Sequence, residues 1–258
     1  MNEKFWDGQA KKYKDSVTAV NFDPLMEELE RHFIEKFMRN NESVCDLGCG
    51  NGLTLLELAK KFPASVFYGV DSSAEMIKVA EDKKRASSLK NIHFYTADAA
   101  GKNMRRIFDF RFDKILTKRL LINLKGRKKA KAVQNIHFLL KKRGMYIMIE
   151  CFLEPLQKIN GLRKGLELEE IKVKSFNEYL TSGVFNNITK GYFSAVEELD
   201  FGSLYYFTSR IYNAWLSKGK PDYFSEINKL AVEVTKYKPE DKIVQGYSPE
   251  KMIILRKV

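Results

Sequence analysis

The sequence VCDLGCGNG, residues 44–52, places three glycines between a strand-like run and a helix-like run. Glycines at alternate positions, here Gly48, Gly50 and Gly52, let a backbone turn tightly and approach a ligand closely. The dinucleotide-binding fingerprint needs its last glycine at position 53, where this chain has a leucine. A phosphate-binding P-loop needs a lysine followed by Ser or Thr, and no such pair follows this turn. The turn therefore predicts a ligand other than a pyrophosphate.

Strand-like and helix-like runs alternate on both sides of the glycine turn, over residues 43–153. The first five predicted strands are SVCDLGC, SVFYGVD, NIHFYTAD, residues 112–117 and GMYIMIECF. Two later strand-like runs, GYFSAVEELDF and SPEKMIILRKV, raise the number to seven. This pattern predicts an α/β fold with a doubly wound, mostly parallel sheet. Ligands bind at the carboxyl ends of the strands in such sheets.

Acidic residues stand at the carboxyl ends of three predicted strands. Asp46 lies just ahead of the glycine turn, where a carboxylate suits a ligand with a cationic amino group. Asp71 ends the second strand, at a position where an acid accepts hydrogen bonds from ribose hydroxyls. Asp98 ends the third strand and can accept from the exocyclic amine of a base. The three acids together predict a nucleoside ligand with an amino group.

These motifs, in this order, resemble class I S-adenosylmethionine (SAM) dependent methyltransferases. The resemblance covers residues 43–153 and rests on VCDLGCGNG, YGVDSS, YTADA, FDKILTKRLLINL and KKRGMYIMIE. It implies SAM as cofactor, with S-adenosylhomocysteine (SAH) as product. The glycine turn would meet the methionine part of SAM, Asp71 the ribose and Asp98 the adenine. The cofactor-binding residues that the resemblance implies are Tyr13, Asp46, Gly48, Cys49, Gly50, Asn51, Gly52, Asp71, Ser72, Met76, Asp98, Ala99 and Thr117.

The run WDGQAKKY, residues 6–13, resembles the segment that folds over SAM in many stand-alone members of this class. Trp6 or Tyr13 would then cover the sulfonium, because an aromatic ring attracts a cation. The alternative is that both rings only pack on the sheet edge. We expect residues 1–40 to form this N-terminal helical segment, 41–153 the SAM-binding core, 154–192 an insertion or cap, and 193–258 the remainder of the same domain.

Composition limits the other possibilities. With 44% apolar and 30% charged residues, the chain is neither disordered nor fibrous. It has no apolar run of the ~20 residues that cross a bilayer, and its three cysteines fit neither a disulfide framework nor a zinc site. We therefore expect a cytoplasmic protein without a metal. Residues 102–143 carry 15 Lys and Arg against two Asp, a charge of +13, so the whole net charge of +12 lies there and the rest of the chain carries −1. This segment predicts an anionic partner, or else a solvated helix face.

Catalytic residues are sought at the strand ends, because methyl transfer mainly needs alignment and needs a base only if the acceptor loses a proton. Glu150, which ends the fifth strand, is the predicted general base; the alternative is that it contacts SAM or pairs with a lysine. The predicted substrate contacts are Lys118, Arg119, Asn177, Tyr205 and Tyr206. An aromatic-rich insertion follows the fifth strand, with 13 Phe, Tyr and Trp within 176–224. It suits the enclosure of a small acceptor, although an ordinary core explains most of these rings.

The predicted function is methyl transfer to a small molecule or glycan precursor, which can carry a phosphate, on oxygen rather than nitrogen. The sequence TKRLLINL lacks the Asn/Asp-Pro-Pro-aromatic tetrapeptide of enzymes that methylate amino groups of adenine, cytosine or glutamine. Two alternatives stay open. One is an RNA methyltransferase that uses the basic segment 102–143 for the phosphate backbone. The other is a non-catalytic SAM-binding protein.

Overall fold

A computed structural model of the chain describes residues 6–9, 12, 23–218, 222–237 and 244–258. The seven strands are β1 (Ser43–Leu47), β2 (Val66–Asp71), β3 (Ile92–Thr96), β4 (Phe112–Lys118), β5 (Leu140–Cys151), β6 (Phe193–Leu199) and β7 (Glu250–Lys257). The helices are α1 (Pro24–Lys36), α2 (Leu53–Lys61), α3 (Ala74–Ser87), α4 (Arg127–Leu139), α5 (Leu153–Gly165), α6 (Ser182–Thr189), α7 (Ser203–Phe207), α8 (Asn213–Leu216) and α9 (Glu226–Tyr237). Two 3₁₀ turns span Lys102–Arg106 and Leu121–Asn123, and a π-helical turn spans Thr208–Tyr212.

All seven strands form one sheet in the order β3-β2-β1-β4-β5-β7-β6. Strands β1 to β5 are parallel, whereas β7 runs antiparallel to both β5 and β6. The predicted doubly wound, mostly parallel seven-stranded sheet is confirmed. The chain crosses from β3 at one edge to β4 beside β1, so the strand order reverses between β1 and β4. A ligand cleft forms at such a switch point, at the carboxyl ends of the strands.

Helix α1 begins as its sequence predicts. Asp23 is the N-cap and accepts from the backbone N–H of Met26 at 3.1 Å, and Pro24 occupies the first turn. The inward face of α1 is fully buried, with Leu29, Phe33 and Ile34 packed into the core on one side of the sheet. This packing fixes α1 beside the ends of β4 and β7, where its polar side chains contribute to the site.

Two element boundaries differ from the sequence prediction. The sequence KGRKKAKAVQNIHFLLKK predicts a helix over residues 125–142, but α4 ends at Leu139 and β5 begins at Leu140. Leu140 is buried and pairs with Phe112, so tertiary pairing overrides local helix propensity. The sequence of residues 203–217 predicts one helix, but the structure interrupts it with the π-helical turn at Thr208–Tyr212. In the described part of the chain, no helix combines the length and apolarity that crossing a membrane requires.

Candidate active site

A cavity of about 440 Å³ opens at the carboxyl ends of the parallel strands. One half is formed by the glycine turn and by the residues that follow β2 and β3. The other half is formed by the ends of β4 and β5, by residues of the segment 171–179, and by Tyr206, Arg210 and Tyr223. The cavity therefore joins the predicted cofactor region to a region that can receive a second molecule.

The glycine turn has a backbone that only glycine adopts easily. Gly48, Gly50 and Gly52 have φ values of +83°, +53° and +72°. A Cβ added to Gly52 would lie 2.7 Å from the ring of Phe94, closer than any real contact. The turn is tied to β2, because the N–H groups of Gly48 and the next residue donate to the carbonyl of Val70. The glycine pattern thus serves both the turn and its close fit against the sheet.

Asp71 lines the cavity at the end of β2. Its carboxylate accepts from the backbone N–H of Gly50 and of Ser73, both at 2.9 Å. Burial raises its pKa, and the hydrogen bonds from the backbone oppose this effect. A carboxylate has about four lone-pair sites, so acceptor capacity remains for two ribose hydroxyls. Asp71 is thus rigidly oriented and chemically suited to the role that the sequence predicts.

Asp98 also lines the cavity, in the loop after β3. Its side chain accepts from the backbone N–H of Ala100 at 2.9 Å and from Lys128 at 3.1 Å. The fully buried amide of Asn135 holds this loop by donating to the carbonyls of Ala99 and Gly101. Asp98 is therefore positioned to accept from the exocyclic amine of an adenine.

Asp46 lies behind the glycine turn and does not itself line the cavity. Burial raises its pKa to about 7, although the nearby Lys118 opposes the shift. Its Oδ1 is buried and has no hydrogen-bond partner among the described residues. Asp46 has a free acceptor atom behind the glycine turn, but it does not reach the cavity wall. Asp71 and Asp98 line the cavity and fit a ribose and a base. The residues present therefore fit SAM.

The structure brings most of the predicted cofactor residues to the cavity wall. Those that line it are Gly48, Cys49, Gly50, Asn51, Asp71, Ser72, Met76, Asp98 and Ala99. Gly52 supports the turn without lining the cavity. Thr117 is a correction, because its buried hydroxyl pairs with the hydroxyl of Tyr146 at 2.9 Å and does not reach the cavity. Trp6 lines the cavity, whereas Tyr13 lies outside the described residues.

A network of ion pairs forms the floor between the two halves of the cavity. Lys118 pairs with Glu27 and with Glu30, the latter at 2.9 Å. Arg119 pairs with the same two glutamates and, at 2.9 Å, with Glu250. The side chains of Glu27 and Glu30 are 2% and 0% exposed, so the network is shielded from water. Lys118 and Arg119 line the cavity as predicted, but three carboxylates already neutralise their charges, which makes them poor ligands for a substrate phosphate.

We refer to the half of the cavity away from the glycine turn as the acceptor half. It is lined by aromatic and polar side chains, including Phe176, Tyr179 and Tyr206. Asn177, a predicted substrate contact, lines this half, and its Oδ1 is buried without a hydrogen-bond partner among the described residues. Tyr205 is a correction. It is fully buried and donates to Asp23 at 2.7 Å, so it belongs to the core and not to the cavity.

Sequence reasoning missed Arg210, which lies in the π-helical turn and lines the cavity. Its guanidinium pairs with Asp23 and lies 4.6 Å from the ring centres of both Tyr206 and Tyr223. π-Helical turns are frequent at functional sites, but the local sequence TSRIY contains no pattern that predicts one. The signal that could have found Arg210 is weak: a single arginine among four tyrosines at 205–223.

Glu150 occupies a different position from the one its predicted role requires. Its carboxylate is fully buried, does not line the cavity, and accepts from the backbone N–H of Leu121 at 2.7 Å and of Ile122 at 3.2 Å. Burial raises its pKa to about 8, and the two backbone hydrogen bonds oppose this effect. Glu150 therefore stabilises the turn after β4. Glu250, at the start of the neighbouring antiparallel strand β7, is the carboxylate of this region that lines the cavity.

The basic segment 102–143 is divided between the two ends of the sheet. Lys118 and Arg119 lie at the cavity end. Lys141, Lys142 and Arg143 line a separate cleft at the opposite end. Only a small part of the positive charge therefore faces the site.

The fold and the site together define a class I SAM-dependent methyltransferase architecture. The methyltransferase domain family model matches residues 38–233, so the chain belongs to this family. Two curated relatives are 26% identical to it: a carboxy-S-adenosyl-L-methionine synthase of Nautilia profundicola, over 58% of this chain and 62% of that protein, and an EEF1A lysine methyltransferase 2 of Danio rerio, over 64% and 75%. The match thus spans less than two thirds of the Nautilia protein.

Among solved structures, the chain is similar to the geranyl diphosphate C-methyltransferase of Streptomyces coelicolor A3(2), which was determined with Mg²⁺, geranyl diphosphate and SAH. The TM-score is 0.58 at 12% identity, with 90% of this chain and 79% of that chain covered. At this identity, the similarity establishes a shared fold. It agrees with the doubly wound sheet described above.

Proposed function

We propose that this protein is a SAM-dependent methyltransferase that methylates a small-molecule acceptor. The observation that carries the proposal is that one cavity of about 440 Å³ contains both the glycine turn and an aromatic-lined second half. Its volume lies within the ~300–1,000 Å³ of pockets that bind small molecules. Residues of the segment 171–179, together with Tyr206, Arg210 and Tyr223, line the second half, and a wall of this kind favours an acceptor that can be enclosed.

When bound, SAM supplies a methyl group that is already activated for displacement. The task left to the protein is to align the acceptor, which can contribute several kcal/mol to catalysis. Asp71 and Asp98 would fix the nucleoside, so that the sulfonium faces the second half. The aromatic rings there, Trp6 and Tyr206 among them, favour a positive charge by cation–π attraction.

The acceptor we propose carries a hydroxyl as the methylated group and an anionic group elsewhere. The orphaned Oδ1 of Asn177 supports a hydrogen-bond donor on the acceptor, since a buried acceptor atom without a partner is costly. Lys172 and Lys174 line the same half and favour an anion. If the hydroxyl loses its proton, Glu250 is the proposed base, because burial raises its pKa and it lines the cavity, although Arg119 opposes the shift.

Cofactor binding is tested by calorimetry with SAH. Gly50→Ala adds a side chain in the cavity wall at a φ of +53°, and we expect it to abolish measurable binding. Gly191→Ala is the matched control, because Gly191 also has a positive φ (+79°) but its Cβ would meet nothing within 4 Å. Equal SAH affinity in the two variants would remove the glycine turn from the cofactor site.

The acceptor class is tested by incubating the protein with cell extract and SAM labelled on its methyl group. We expect the label in the low-molecular-mass fraction, and we expect Glu250→Gln to lower the yield while SAH affinity stays intact. Label found only in RNA would favour the RNA methyltransferase alternative. SAH binding without any transfer of label would favour a non-catalytic SAM-binding protein.

A further inference from the structure

A compact group of cations surrounds one aromatic ring at the end of the sheet opposite the cavity. The guanidinium carbons of Arg105 and Arg111 lie 4.7 Å and 4.0 Å from the ring centre of Phe138. Lys257, at the end of β7, reaches the same corner and donates to the carbonyl of Leu140 at 2.8 Å. We refer to Arg105, Arg111 and Lys257 as the basic corner.

Arg105 is held in place by a buried group. Its Nε donates to Oδ1 of Asn135 at 3.1 Å, and Asn135 is fully buried and anchored to the loop after β3. The stacking of both guanidinium groups on Phe138 limits their rotamers further. Because the side chains are ordered before any ligand arrives, a ligand would meet pre-arranged N–H donors at a small entropic cost.

The basic corner lacks compensating carboxylates. None of its three cations forms an ion pair with an acidic side chain of the described residues, although many other lysines of the chain do. Burial and the charge of Arg111 lower the pKa of Lys257. Burial and the charges of Lys257 and Arg105 lower the pKa of His137, whereas a backbone hydrogen bond raises it. The cations therefore repel each other, and an anion between them would relieve this repulsion.

We propose that the basic corner binds a phosphate group. Phosphate carries up to two negative charges and several oxygens, which suits two guanidinium forks and an ammonium better than a single carboxylate does. The basic corner uses different residues from the proposed function, because Arg105, Arg111 and Lys257 do not line the cavity. Arg105 is connected to the cavity wall only indirectly, through Asn135 and the loop after β3. A separate cleft is lined by Lys142, Arg143 and Arg256, together with the acids Glu42 and Asp113.

The test compares two double variants that remove the same charge. Arg105→Gln/Arg111→Gln disrupts the basic corner. Lys78→Gln/Lys90→Gln removes two exposed lysines that belong to neither site. Binding of a short fluorescent single-stranded RNA is measured by anisotropy, and binding of ATP and inorganic phosphate by calorimetry, all at low ionic strength. We expect the corner variant to bind at least about tenfold more weakly, since each charge-assisted hydrogen bond that is removed is worth more than that factor. The control should weaken binding by less than about twofold.

The three probes distinguish the source of the phosphate. Binding of RNA but not ATP would identify a phosphodiester chain, with a salt slope that falls by about 0.7 for each phosphate that the variant no longer neutralises. Binding of ATP or phosphate alone would identify a terminal phosphate. Both results support the proposal if the corner variant abolishes them. Failure of the wild type to bind any probe, or equal weakening in both variants, would overturn it.

Folding of the variants is checked independently of the phosphate probes. SAH affinity should remain unchanged in the single variant Arg111→Gln, which separates this proposal from the proposed function. The double variant does not serve for this control, because Arg105 bonds to Asn135, which holds the loop that carries Asp98. The single variant Arg111→Gln provides a second check, because the only hydrogen bond of this side chain among the described residues is to the carbonyl of Phe110. It should weaken binding of the same probe by at least about threefold.

Discussion

Replacement of Lys118 by methionine tests the ion network on the floor of the cavity. The substitution keeps the length of the side chain but removes the ammonium that pairs with Glu27 and Glu30. Both carboxylates stay buried, with Arg119 as their remaining partner in the network. The variant thus leaves an excess of buried negative charge, which water cannot reach to solvate.

The magnitude follows from the pKa of Glu27. Burial alone would raise this pKa, but Lys118 and Arg119 outweigh burial and lower it from 4.5 to about 2. A shift of this size corresponds to about 3 kcal/mol of stabilisation. It is present above pH 4.5 and disappears as the pH falls toward 2. Breaking a buried pair by removing one partner costs about 3–5 kcal/mol, so we expect Lys118→Met to lower the free energy of unfolding by that amount at pH 7.

Urea unfolding at pH 7.5 and pH 5 measures the destabilisation. With a slope of about 3 kcal/mol per molar urea, the midpoint should fall by about 1–2 M at pH 7.5. The fall should be smaller at pH 5, where one of the unpaired glutamates can take up a proton. Lys60→Met is the control, because its partner Glu57 is exposed and such pairs contribute less than about 1 kcal/mol. Equal midpoints for the two variants would show that the network does not stabilise the fold in this way.

Three further substitutions test the site and its supports. Asp71→Ala should weaken SAH binding by about 1–3 kcal/mol in calorimetry, the value of one charge-assisted hydrogen bond; unchanged affinity would remove Asp71 from the site. Gly52→Ala should lower the melting temperature more than Gly126→Ala, since both have positive φ but only Gly52 would press a Cβ against Phe94. Glu150→Gln should gain stability relative to wild type as the pH rises from 5 to 9, because a folded-state pKa raised to about 8 makes ionised Glu150 destabilising; a flat difference in urea midpoints would contradict this.

Local sequence patterns were sufficient to predict the sheet and the cofactor half of the site. The seven strands follow from local apolar runs, and the glycine turn follows from φ values that side chains disfavour. Asp71 and Asp98 were predictable because residues at the ends of neighbouring parallel strands meet at one edge. Each of these inferences needs only short-range pattern and the known geometry of a parallel sheet.

The acceptor half, by contrast, depends on long-range packing. Acidic residues of α1 and β7, about 90 and 130 residues away in sequence, neutralise Lys118 and Arg119. The local sequence therefore could not show that these two cations are not free to bind a substrate. Thr117 and Glu150 are turned to buried partners, because neighbouring residues on a strand face opposite sides of the sheet. Arg210 reaches the cavity through a π-helical turn that local propensity does not indicate. The chemistry of this half depends on side-chain direction and on charge pairs between distant residues. Neither can be predicted from the sequence around a single position.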